Sequence, residues 1–126
     1  MEEYIVKVYH DRTEWFNKEK QYHRLDGPAI EWRDENKEWY FNNKMHRIDG
    51  PAVEYSSGYK AWYQNGKRHR TDGPACDWQS GKKEWWIEGV QYTKEEFKNK
   101  LNPVVELTVD EISKRLGFTV KVVGGK

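Results

Sequence analysis

The chain has 126 residues, of which 36% are hydrophobic, 34% charged and 15% aromatic, with seven tryptophans. Aliphatics are too scarce for a leucine-packed helix bundle. The aromatics, each removing ~150–250 Å² from water, supply a core instead and exclude a disordered chain. The formal charge of +1 comes from 22 basic and 21 acidic residues; the segment from Thr93 onward holds seven and five of them, leaving 15 and 16, with no basic stripe of the kind a phosphate-backbone binder presents.

A length of 126 residues falls in the range of one domain, ~100–200 residues. The sequence opens MEEYIVKV, without a signal-peptide pattern, and it contains no long apolar run. Its single cysteine, Cys76, has no partner for an intrachain disulfide. These features carry the expectation of a soluble, cytoplasmic protein in a reducing compartment.

The first unit of the chain, residues 1–22, becomes intelligible only beside the later ones. HRLDGPA at 23–29 recurs as HRIDGPA at 46–52 and HRTDGPA at 69–75. Trp39, Trp62 and Trp85 keep the same period of 23. Trp15-Phe16 matches Trp39-Tyr40 only with one residue inserted before His23, so the first unit is a degenerate terminal repeat. Each later unit predicts two strands. The first comes after the proline (29–32, 52–55, 75–78), and the second carries the tryptophan (38–41, 61–64, 84–87), as alternation and aromatic enrichment require. The intervening DENK, SSGYK and QSGKK are turn sequences. After the second strand, Asn65-Gly66 is a hairpin dipeptide because both residues tolerate positive φ. Asn42-Asn43 and Glu88-Gly89 occupy the same place. Two strands per unit set equivalent residues ~10 Å apart.

The pattern W-Y-Q-N-G-K-R-H-R-x-D-G-P-A, read at Trp62, Tyr63, Asn65, Gly66, Lys67, His69 and Gly73, resembles the MORN repeat, whose unit is also 23 residues. The resemblance covers roughly residues 14–92. Arg47 and Arg70 stand where that family usually has glycine, and DGPA is inserted. The chain is thus similar to divergent repeat proteins of bacteriophages and large viruses. The resemblance implies an elongated antiparallel β-meander that serves as a scaffold or binding surface. Some members of the family are credited with phospholipid contact; 22 basic residues balanced by 21 acidic ones disfavour a membrane here.

The tail, 93–126, reads as a small α/β cap over the last strand edge, or as a dimerisation element. Thr93 and Glu96 form a capping box for a helix running to about Leu101, and Thr108 and Glu111 form a second. Val109, Ile112 and Leu116 make one apolar face, and Gly117 is a good C′ residue. An extended run is expected at 104–107 and a strand at 118–123. LTVDEISKRLGF is also similar to the first helix of a helix-turn-helix domain. No recognition helix comes after it, so nucleic-acid binding is disfavoured. The predicted fold class is mainly β, α+β overall: a meander of hairpin repeats over 1–92 with the cap at 93–126.

Three histidines ~10 Å apart cannot share a metal, and no Cys/His spacing for one appears. No nucleophile elbow, phosphate loop or acidic dyad is present, so neither catalytic residue, metal nor cofactor is expected. His23, Asp26, Gly27 and Pro28, with His46, Asp49, Gly50 and Pro51, and with His69, Asp72, Gly73 and Pro74, instead read as a structural joint. The histidine bonds the next unit's turn, and arginine lies over an aromatic face. The aspartate accepts backbone N–H groups, and proline opens the strand after it. Alternation puts Trp39, Trp62 and Trp85 on one face and Tyr40, Tyr63 and Trp86 on the other. The uniform tryptophans are expected in the core and Tyr40 and Tyr63 in the open. Tyr40, Tyr63, Trp86, Arg47 and Arg70 are therefore the candidate partner-binding residues, because Tyr, Trp and Arg dominate interface hot spots. The leading expectation is a non-enzymatic scaffold binding a protein partner; in a virus, that partner is a host defence component. The alternatives are a nucleotide or small-molecule binder built from tryptophan with Arg47 or Arg70, and DNA binding by the tail.

Overall fold

In the computed structural model, residues 3–103 and 106–117 are described. The strand expected at 118–123, and residues 104–105 of the extended run, lie outside them. The first units of structure are β1 (Ile5–Val8) and β2 (Arg12–Phe16), then β3 (Ile30–Trp32), β4 (Lys37–Glu38), β5 (Tyr40–Phe41) and β6 (Lys44–Met45). Next come β7 (Val53–Glu54), β8 (Lys60–Ala61), β9 (Tyr63–Gln64) and β10 (Lys67–Arg68). Among the described residues these are succeeded by β11 (Cys76–Asp77), β12 (Lys83–Ile87) and β13 (Val90–Tyr92) and by two helices, α1 (Lys94–Leu101) and α2 (Val109–Leu116).

A nine-stranded antiparallel sheet runs β1-β2-β3-β4-β7-β8-β11-β12-β13, while β5-β6 and β9-β10 form separate two-stranded ribbons. The chain is thus mainly β, an antiparallel meander with two short helices, as the alternation and turn chemistry predict. One expectation needs correction. The second strand of each unit is not continuous through the tryptophan in the two central units. Trp39 donates its N–H to Ala52 in the main sheet and its carbonyl accepts from His46; Trp62 does the same with Ala75 and His69. Each tryptophan is therefore a corner where the chain leaves the main sheet.

Beyond the corner, Tyr40 pairs with Met45 and Phe41 with Lys44, and Tyr63 pairs with Arg68 and Gln64 with Lys67. The turns are those expected, with both central residues at positive φ: Asn42 47° and Asn43 68°, Asn65 52° and Gly66 81°, Glu88 47° and Gly89 80°. Such turns match the right-handed twist of the strands they join. Glu88 adopts this region without glycine's freedom or asparagine's tolerance, at a cost of ~1 kcal/mol or more. In the first unit the ribbon shrinks to one bridge, Phe16 with Tyr22, and the inserted residue lengthens its turn. The ribbons stack on one another: Asn43, Gly66 and Gly89 each donate their N–H to the carbonyl of Tyr22, Met45 and Arg68, at 2.9 Å every time.

Short strands leave little side-chain volume inside, and the core is correspondingly thin. Val53, Ala61 and Cys76 form its centre, with Met45, Tyr55, Tyr59, Tyr63, Trp78 and Trp86 packed against it. Ile30, Glu14 and Glu38 are also buried; Ile30 pairs with both of these glutamates across the sheet. Ala29, Ala52 and Ala75, after the prolines, are fully buried. They point to the opposite face, because neighbouring residues of a strand alternate.

At the C-terminal end, Thr93 and Glu96 form the capping box of α1, and Thr108 and Glu111 that of α2. Gly117 ends α2 in the left-handed region, φ 75°. Helix α1 packs on β12 and β13 and buries Phe97. Helix α2 is amphipathic but buries none of its residues. Among the described residues, no helix is long and apolar enough to cross a membrane.

Candidate functional site: the joints and the grooves between them

The joint is built around its arginine. Arg24, Arg47 and Arg70 lie with their guanidinium carbons 4.0, 4.0 and 3.8 Å over the rings of Trp15, Trp39 and Trp62. Each Nε donates to the aspartate two residues on, Asp26, Asp49 or Asp72. Each Nη1 donates to the carbonyl of Pro28, Pro51 or Pro74. In the first two joints Nη1 also reaches Glu31 or Glu54, 3.1 Å away. At the third joint the corresponding carboxylate, Asp77, pairs with Lys83. A Cβ on Gly27, Gly50 or Gly73 would stand 2.9 Å from the guanidinium carbon. The missing Cβ makes room for this close approach; positive φ is not involved. The guanidinium holds the Asp49 and Asp72 carboxyls below their ordinary range, first by its hydrogen bond and then by its charge.

The histidines reach across to the next unit. Nδ1 of His23, His46 and His69 accepts the backbone N–H of Asn42, Asn65 and Glu88, at 3.0–3.1 Å. That N–H opens the left-handed turn of the next unit. A ring that accepts at Nδ1 carries its proton on Nε2. Histidine and arginine therefore tie each unit to the next: the Arg24, Arg47 and Arg70 N–H groups bond the carbonyls of Tyr40, Tyr63 and Trp86.

The series of joints stops where the tail begins. Arginine stands eight residues after Trp39 and after Trp62, but the residue eight after Trp85 is Thr93, the N-cap of α1.

The candidate residues divide between the two faces. Arg47 and Arg70 have Nε and Nη1 committed within the joint. Tyr40, Tyr63 and Trp86 are half-buried and belong to the core side, against the expected exposure of the tyrosines. Tyr40 donates to Oε1 of buried Glu38 at 3.0 Å, and Tyr55 to its Oε2 at 2.7 Å. Trp86 donates from Nε1 to Glu84. Burial, reinforced by Glu38, raises the phenols of Tyr40 and Tyr55, the latter to about 12. Burial also raises Tyr59 and Tyr63 and the Cys76 thiol. Arg68 sits 5.0 Å over Trp86, and its Nε is buried without a hydrogen-bond partner.

Between the joints lies a feature that the repeat pattern does not announce. Two grooves recur one unit apart. The first, about 740 Å³, runs between the joints at 24–28 and 46–49, over Trp39 and Phe41. The second, about 510 Å³, runs between 47–50 and 69–72, over Trp62 and Gln64. Ile48 lines both and is 72% exposed; Leu25, one unit earlier, is 60% exposed, and Phe41 is exposed between them. A signal was available: the variable position of HRxDGPA holds Leu25, Ile48 and Thr71, and an apolar residue in a turn otherwise made of charged residues and glycine has no folding reason to be there.

Among the described residues, no three His, Cys, Asp or Glu side chains gather as a metal-holding group. Compared with family models, curated proteins and solved structures, the chain finds no match.

Proposed function

We propose that the chain is a non-enzymatic scaffold of divergent MORN-like repeats that binds a protein partner through the joint face. The observation that carries this reading is the line of exposed apolar side chains, Leu25, Phe41 and Ile48, beside the grooves. Large apolar side chains gathered on a rigid surface mark interaction sites, and these three have no evident part in the core. The aromatic rows, in contrast, are largely occupied: one by the arginine joints, the other by the core and Glu38. In the viral setting that the resemblance implies, the partner is a host defence protein and the chain its inhibitor.

The test pairs a surface variant with a core variant. Leu25→Glu/Ile48→Glu should leave the melting temperature nearly unchanged and abolish capture of a partner from a host lysate. Tyr40→Ala should lower stability through Glu38, whatever it does to capture. Undiminished capture by the Leu25→Glu/Ile48→Glu protein would overturn the assignment of the joint face.

A further inference from the structure

The two edges of the main sheet differ in what they leave open. At one edge, Ile87 pairs with Val90 and Trp85 with Tyr92 across the turn at Glu88-Gly89. The closing pair of a two-residue hairpin exchanges both main-chain bonds, and such pairs alternate with pairs that exchange none. Val90 and Tyr92 thus spend their backbone groups on β12. Only Gln91 turns its N–H and C=O outward before α1 begins at Lys94. The other edge is β1, all four of whose residues are exposed. There the Tyr9 N–H bonds the carbonyl of Arg12 at 2.8 Å, so Lys7–Glu14 and Ile5–Phe16 are the next bonded pairs. Trp15, opposite Val6, bonds Ala29 and His23 instead. Tyr4, Val6 and Val8 therefore direct their N–H and C=O away from β2, and among the described residues no strand takes them up.

An open apolar edge is a template for another strand, and proteins guard such edges with prolines, bulges or outstretched lysines. β1 has no proline, its register with β2 is unbroken, and its one charge, Lys7, lays its ammonium 5.1 Å over the ring of Phe16. Val6 is 46% and Val8 70% exposed. The segment Glu3-Tyr4-Ile5-Val6-Lys7 identifies what pairs there. Outward backbone groups must meet outward groups, so a second copy related by a two-fold axis centres on a residue, never between two. Centring on Val8 sets turn against turn. Centring on Lys7 puts it directly against the partner's Lys7, and like charges so placed are destabilising. Centring on Val6 leaves Glu3 opposite the partner's Tyr9 and Lys7 opposite the partner's Ile5.

Centring on Ile5 satisfies every position of the segment. Glu3 stands opposite the partner's Lys7, and Lys7 opposite the partner's Glu3. Neither residue forms an ion pair within its own chain among the described residues. Ile5 meets the partner's Ile5. Tyr4 and the partner's Val6 exchange both main-chain bonds, as do Val6 and the partner's Tyr4. We infer that β1 pairs antiparallel with β1 of a second copy of this chain, centred on Ile5, so that the nine-stranded sheet continues through a two-fold axis into its twin. Directly opposite residues share a face, so the joint faces of both copies lie on one side of the continuous sheet. The inference goes beyond the protein-binding reading above and does not depend on it, because the pairing uses the sheet edge and none of the joints.

The experiment follows sedimentation of the full chain from micromolar to millimolar concentration. A reversible equilibrium that stops at the dimer is expected. Val6→Pro removes an outward N–H that its own hairpin does not use, a change edge strands tolerate. It should leave a monomer whose melting temperature in dilute solution is nearly unchanged. Glu3→Lys and Lys7→Glu each set like charges opposite one another twice and should weaken the dimer by about ten-fold or more. The double swap Glu3→Lys/Lys7→Glu recreates both pairs and should restore the dimer; the two single variants, mixed, should associate with each other. Leu25→Glu/Ile48→Glu, on the joint face, should dimerise as before, so the edge and the joint face are tested separately. The inference is overturned by a chain that stays monomeric at millimolar concentration, by a dimer that Val6→Pro leaves intact, or by growth into open polymers. A double swap that fails to restore association overturns it equally.

Discussion

Gly50→Ala adds one methyl group at the tightest point of the second joint. The new Cβ would lie 2.9 Å from the Arg47 guanidinium carbon, and the three nearest heavy atoms all belong to Arg47. The guanidinium must therefore leave its place 4.0 Å over Trp39 and its 3.1 Å bond to the Pro51 carbonyl. A partly shielded stack contributes ~1 kcal/mol, and a charged donor on a carbonyl ~1.5 kcal/mol. Gly50 does not have positive φ, so alanine also narrows the unfolded ensemble and returns ~0.4–1 kcal/mol. The net expectation is destabilisation by about 2 kcal/mol. With Arg47→Ala in place, the obstruction is gone, and Gly50→Ala should be neutral or stabilising by up to ~1 kcal/mol. Urea unfolding of the four proteins of this double-mutant cycle measures the difference. An equal cost of Gly50→Ala in both backgrounds would refute the wedge and place the cause in the backbone.

The same geometry has three further outcomes. The folded Tyr55 phenol holds its proton up to about 12, whereas an unfolded tyrosine releases it near ~10; burial raises Tyr40 and Tyr59 in the same direction. The unfolded state thus binds fewer protons in that window, so stability is full below pH ~10 and falls as pH rises toward 12; a urea midpoint constant across that range would contradict the tyrosine–Glu38 packing. Asp49 and Asp72 are held below the ordinary 3.8 by their arginines, so their contribution is present above that pH and is lost as pH falls below it. Asp49→Asn/Asp72→Asn should flatten the acid limb of the unfolding curve, and an unchanged limb would remove these pairs from the account. Nitrogen-15 spectra of the imidazoles near pH 8 should show His23, His46 and His69 as the Nε2–H tautomer; a proton on Nδ1 would break the link to the next turn.

Much of the architecture was legible because it depends on short-range chemistry. The period of 23, the strand positions, the turn at Asn65-Gly66 and both capping boxes come from residues a few positions apart, acting on their own backbone. A glycine, a proline and an aspartate in fixed order also restrict the chain locally at each joint. The added strands at Lys44–Met45 and Lys67–Arg68 were not legible, because their residues carry no strand signal and pair only through the turn that precedes them. Strand alternation set two aromatic rows apart, but it could not say which would be covered. That was decided by partners outside the strand itself: Arg47, eight residues on, closing over Trp39, and Tyr55 reaching Glu38 from 17 residues away. The arginine completes the packing of each joint, and Leu25 and Ile48 are left exposed beside it. Sequence by itself determined a mainly β chain, an antiparallel meander of hairpins, through backbone preferences that short stretches carry within themselves. Which face remained open was set only in three dimensions, where burial depends on how neighbouring units close over one another.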